Sequence, residues 1–119
     1  MTLPHNAERL TIYLEQTEHH GGTPEFVEII ERARRMGMAG ATLIAGAEGF
    51  GGAATVHRRH LLSVKADVPV VITIVDTAEN VDRFLPEVER LMPRGLILRQ
   101  PVEVVIHRTG EPGPEVSKS

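Results

Sequence analysis

The chain contains no cysteine and no tryptophan, and only three Phe and one Tyr. Without thiols there is no disulfide, no thiolate nucleophile and no Cys-based metal site, and the chain suits a reducing compartment. With so few rings it lacks the stacking platforms on which single-stranded nucleic acids are held. A basic face is missing as well: 13 Lys and Arg stand against 16 Asp and Glu, for a formal charge of -3. Phosphate-backbone binding needs the opposite balance, so no nucleic-acid partner is expected. No apolar run approaches the ~18 residues of a membrane span, and MTLPHNAERL has no apolar signal-peptide core. A soluble, cytoplasmic protein is expected. What remains is ample for one domain: 119 residues can bury roughly two-thirds of their unfolded surface without staples. The reading is a single domain over 1–119, with its core at about 8–110 and a flexible tail at 111–119.

Along the chain, Leu10, Ile12 and Leu14 alternate with Thr11, Tyr13 and Glu15, the period of a half-buried strand. HHGG reads as a loop, and TPEFVEIIERARRMG as a helix with Thr23 as N-cap, Pro24 in its first turn and Gly37 as its stop. Its apolar face is Phe26, Ile29, Ile30, Ala33 and Met36. GATLIAGA is a second strand and PVVITIVD a third. TAENVDRFLPEVERLM is a second helix, capped by Asp76 or Thr77, with Asp76 and Glu79 as a capping pair. Pro86 falls inside it, but the apolar periodicity continues on both sides. In the last strand, LILRQPVEVVIHR, Pro101 predicts a bulge or an edge position.

This order, β-α-β, long connection, β-α-β, is that of a ferredoxin-like α+β (α/β) fold: a four-stranded antiparallel sheet with two helices on one face. Two helices cover one face only, yet Val70 to Val75 are apolar on both, Thr73 excepted. Self-association is the simplest cover for the second face.

The connection itself, EGFGGAATVHRRH, is glycine-rich, then basic, and far exceeds the 2–5 residues of a hairpin. Taken with GATLIAGAEGFG, PVVITIVDTAENVDRFLPEVERL and GLILRQPVEVVIHRTGE, it resembles the PII-like superfamily, and within it the bacterial domain-of-unknown-function family 190. The resemblance spans about Glu8 to Glu111 and implies a homotrimer whose sheets pack inward. It also implies an adenine nucleotide (AMP, ADP, ATP or cyclic AMP) or a similar anion in clefts between subunits. A switch loop, the T-loop, at about 51–67 would dock on a membrane transporter or enzyme. Position by position, Gly40 and Thr42 match the strand beside the base, Gly49, Phe50 and Gly51 the loop root, and Arg108 a phosphate-contacting arginine. Arg94 and Gly95 stand in for a phosphate loop that is shortened here to MPRGL, and Ile106 replaces a second arginine, so a triphosphate is the least favoured ligand. Arg58, Arg59 and Lys65 would meet a phosphate or an acidic partner surface.

Two rivals are weighed beside this signalling reading. The divalent-cation-tolerance trimers share the superfamily fold, and His57 with His60, joined by His19 and His20, offers imidazoles for Zn²⁺ or Cu²⁺. Arg58 and Arg59 repel a cation there, so solvated histidines are favoured. A structural trimer whose loop merely holds a partner is the third reading. No enzyme is expected: Ser63 has no base at a motif spacing. Acylphosphatase and RNA-recognition modules share the strand order, but EQTEHHGG offers no anion-binding arginine loop and GFG lies on the wrong strand.

Overall fold

A computed structural model describes residues 2–15, 19–20, 22–46 and 69–110. In chain order the elements are β1 (Asn6–Glu15), β2 (His19–His20), β3 (Thr23–Pro24), α1 (Glu25–Arg35), β4 (Thr42–Ala45), β5 (Pro69–Asp76), α2 (Ala78–Leu91) and β6 (Leu96–Glu103). Four strands form one antiparallel sheet in the order β4-β5-β1-β6. This is the expected βαββαβ arrangement with both helices on one face.

Alternation decides which residues enter the core. Leu10, Ile12 and Leu14 of β1 and Val70, Ile72 and Ile74 of β5 face the helices and are buried. There they meet Ile29 and Ala33 of α1 and Val81, Phe84 and Val88 of α2. Each fully buried aliphatic or aromatic side chain contributes about 1.5–3 kcal/mol, so this layer is the main source of stability.

The local signals are partly those expected. Helix α1 ends in a Schellman motif: Gly37 at φ 74° lets its N–H reach the Arg34 carbonyl (3.1 Å) while Met38 N–H reaches Ala33 (3.0 Å). Its start differs from expectation. Pro24, not Thr23, holds the N-cap position with ψ 138° and no side-chain cap. The residue before a proline is pushed towards extended backbone, and Thr23 instead pairs with His20 in a two-strand ribbon, β2–β3. HHGG is therefore not simply loop. On α2 the cap is Thr77, whose Oγ1 accepts Asn80 N–H at 3.1 Å; Asp76 and Glu79 do not form the capping pair. Pro86 stays inside α2 on its exposed side, where the Asp82 carbonyl that loses its helical donor can turn to water. Pro101 lies on the edge strand β6, in unbroken register opposite Glu8, without a bulge.

Among the described residues, no helix covers the second face of the sheet. One rung across it is Ile44–Val71–Tyr13–Leu96, and the next is Thr42–Thr73–Thr11–Leu98. Ile44 is 57%, Leu96 52% and Leu98 43% exposed. An apolar face of this kind on a β-sheet marks an interaction surface. Among the described residues no helix is long and apolar enough to cross a membrane.

Candidate functional site

β4 and β5 converge at the root of the long connection, where Gly46 N–H donates to the Pro69 carbonyl at 2.7 Å. Residues 46–68 join the two strands. Gly49, Phe50, Gly51, His57, Arg58, Arg59, His60 and Lys65 lie outside the described residues, as does the tail at 111–119. The other expected residues can be placed. Gly40 and Thr42 are exposed at the start of β4, one edge of the sheet. An added Cβ on Gly40 would meet nothing within 4 Å, so no neighbour in the chain imposes glycine there. Arg94 and Gly95 form the turn into β6, the opposite edge. Gly95 has φ 132°, and a Cβ there would lie 2.6 Å from the Tyr13 carbonyl oxygen and against the Met92 side chain. Its glycine thus has a packing reason as well.

Arg108 follows β6 in an extended segment that continues antiparallel to the N-terminal residues. Val104 N–H donates to the His5 carbonyl at 2.7 Å, and Leu3 N–H to His107 Nδ1 at 2.8 Å. Arg108 itself is exposed and forms no ion pair among the described residues. Arg99 is the opposite case. Its Nε donates to Glu8 at 2.9 Å and its Nη1 pairs with Asp82 at 2.7 Å. The Glu8 bond first, then that to Asp82, raises its pKa further above the ordinary guanidinium value. It is a fastener between β6, β1 and α2.

The register fixes how far apart these groups stand. Thr42 and Leu98 occupy the two ends of one rung, three inter-strand spacings or about 14 Å apart. Along the strands, Gly40 and Arg108 lie towards the end where Asp76, Glu8 and Pro101 are paired, while Gly95 and the loop root lie towards the other. One chain therefore does not gather the expected contacts into one pocket. A shallow cleft of about 430 Å³ does occur, lined by Asn6, Glu8, Ala78, Pro101 and Glu103 among others. It contains none of the expected residues, and its two carboxylates oppose an anion.

Metal-ligand groupings of three or more His, Asp or Glu are absent among the described residues. His19 and His20 form β2, and His57 and His60 lie outside the described residues.

Sequence reasoning missed the role of Asp76. This carboxylate, at the end of β5, is 0% exposed. It accepts from Thr77 N–H (2.7 Å), from Asn80 Nδ2 (2.8 Å) and, across the fold, from Ala39 N–H (2.7 Å). The signal available was an acidic residue ending a strand that is otherwise apolar on both faces.

A four-stranded βαββαβ sheet with one bare face, a long connection after its second long strand and an arginine beyond its last is the PII-like form of the ferredoxin-like fold. The sequence profile of the DUF190 family, described as "Uncharacterized ACR", matches residues 7–104, and the chain belongs to that family. A UPF0166 protein from Aquifex aeolicus is 32% identical over 96 residues, covering 81% of this chain and 90% of that protein. Among solved structures, the nitrogen regulatory PII-like protein CPII from Thiomonas intermedia K12, bound to ADP, AMP and bicarbonate, aligns with TM-score 0.65 at 19% identity, over 83% of this chain and 88% of that one. The divalent ion tolerance protein CutA1 from Ehrlichia chaffeensis aligns with TM-score 0.55 at 10% identity, over 87% and 86% of the two chains. At such identities the two structures establish the fold.

Proposed function

We propose that this protein is a PII-like regulator that binds an adenine nucleotide or similar anion in clefts between copies of itself and reports the ligand through the 51–67 loop. The observation that carries the reading is the separation of the candidate contacts onto opposite edges of one sheet. A cleft formed by the β4 edge of one copy and the β6 edge of the next would bring Gly40 and Thr42 to Arg108; a single chain does not. The bare apolar face supplies the reason for copies to associate, and three of them satisfy the resemblance. Gly40 and Thr42 are assigned to the base, and the loop root Gly49, Phe50 and Gly51 to the same ligand. Arg108 is assigned to the phosphate, while Arg94 and Gly95, at the opposite end of β6, are assigned to a contact made from a different copy. The ADP and AMP held by the CPII structure support this ligand class. Arg58, Arg59 and Lys65 are assigned to the partner-facing loop, whose switch requires that the ligand prefer one loop state over the other.

The test is calorimetric titration with AMP, ADP, ATP and cyclic AMP, with Zn²⁺ and Cu²⁺ in parallel. The reading expects saturable nucleotide binding at up to one site per chain, for which a Kd of about 10 μM would correspond to about 7 kcal/mol, and its loss in Arg108→Ala. Nucleotide silence with a metal signal abolished by His57→Ala would replace it with the metal-responsive reading.

A further inference from the structure

We propose that Asp76 is a positioning residue of the nucleotide cleft: through its bond to Ala39 it holds the start of β4, and so Gly40 and Thr42, in place against the start of α2. This rests on the nucleotide reading above and adds to it a residue that touches no ligand. The physical oddity is the burial. A carboxylate removed from water costs several kcal/mol unless its lone pairs are filled. Two of the three donors that fill them, Thr77 N–H and Asn80 Nδ2, are local to the start of α2 and would serve any helix start. The third comes from 37 positions earlier in the chain.

That third donor sits where the backbone needs an anchor. Helix α1 closes with Met38 N–H on Ala33, and the β4–β5 ladder begins at Thr42 opposite Thr73. Between them, residues 39–41 are exposed. Among the described residues, the bond from Ala39 to Asp76 ties this stretch to the body of the protein before the ladder begins. Gly40 is the next residue and Thr42 lies three beyond Ala39. Arg83 reinforces the same junction, its Nη2 donating to the Met36 carbonyl and to Asn80 Oδ1. The tie therefore joins the base side of the cleft to the start of α2.

Asp76→Asn isolates the tie. Oδ1 serves two donors and Oδ2 serves Ala39 alone, so the remaining amide oxygen is better placed on the two-donor side, leaving an NH₂ facing the Ala39 N–H. Thr77→Ala is the control, because it removes the α2 cap and leaves the Ala39 bond intact. The first arm needs no variant: amide hydrogen exchange of the wild-type protein should show Ala39 protected although its residue is exposed, and slower still with saturating AMP. An Ala39 amide that exchanges freely, or is indifferent to bound AMP, overturns the proposal. In the second arm, AMP and ADP are titrated at a temperature where every variant is fully folded. Asp76→Asn should bind at least about tenfold more weakly, about 1.4 kcal/mol, and Thr77→Ala within about twofold of wild type despite a lower unfolding midpoint. Unchanged affinity in Asp76→Asn, or equal losses in both variants, contradicts a positioning role. Wild-type silence towards both nucleotides overturns the functional reading and the ligand half of this one, while the exchange rate of Ala39 still decides whether the tie exists.

Discussion

At Gly95 the absence of a Cβ is what allows the turn before β6 to press against β1. With φ at 132° and the Tyr13 carbonyl 2.6 Å from where a Cβ would stand, Gly95→Ala combines backbone strain with a clash. It should destabilise the protein by about 1–3 kcal/mol, read as a lower urea midpoint with an unchanged m-value. Glu87 is bracketed by Arg90 on its own helix and Arg32 on α1. The hydrogen bond from Arg90, and then the Arg32 pair, hold its carboxyl below the ordinary value of 4.5. A depressed folded-state pKa contributes stability that is complete above the unfolded value and fades as pH falls through the folded one. Wild-type stability should therefore decline below about pH 4.5 more steeply than that of Glu87→Gln, measured by urea unfolding at stepped pH.

Among the elements, α2 carries two opposed signals. Thr77 caps it, and Thr77→Ala should cost about 1 kcal/mol. Pro86 weakens its interior, where proline costs about 3 kcal/mol. Pro86→Ala also frees the unfolded chain by about 0.4–1 kcal/mol, so the net expectation is a gain of about 2 kcal/mol in the unfolding free energy. The same element shows how far sequence alone could reach. Periodicity revealed β1, β5 and both helices, because core contact repeats at 2.0 and 3.6 residues whatever the partners are. It could not reveal β2–β3, two residues a strand, which are too short to show a period. Nor could it show that Asp76 reaches back to Ala39: a carboxylate beside a helix start looks like a cap until the distant donor is brought next to it by folding. The edge position of Pro101 was legible because a missing N–H is tolerated only where no strand lies beyond it.

At the scale of the whole molecule, the unmatched apolarity of Val70 to Val75 pointed to a second apolar surface, but strand order was needed to reveal its extent. Pairing brings Ile44, Tyr13, Leu96 and Leu98, scattered through the sequence, onto one surface with Val71. Of the residues proposed to meet a nucleotide, the register places Gly40 and Thr42 at one edge and Arg94, Gly95 and Arg108 at the other. Both findings support the proposal that the site is complete only between copies. A charge on the bare face, Leu98→Glu, should therefore separate the copies and abolish nucleotide binding while leaving the circular dichroism of the fold unchanged. The most direct test is sedimentation equilibrium of the wild-type protein at tens of micromolar. The account predicts about three times the 13.1 kDa of one chain. A mass of one chain across that range would contradict it, because a lone sheet leaves its candidate contacts on opposite edges.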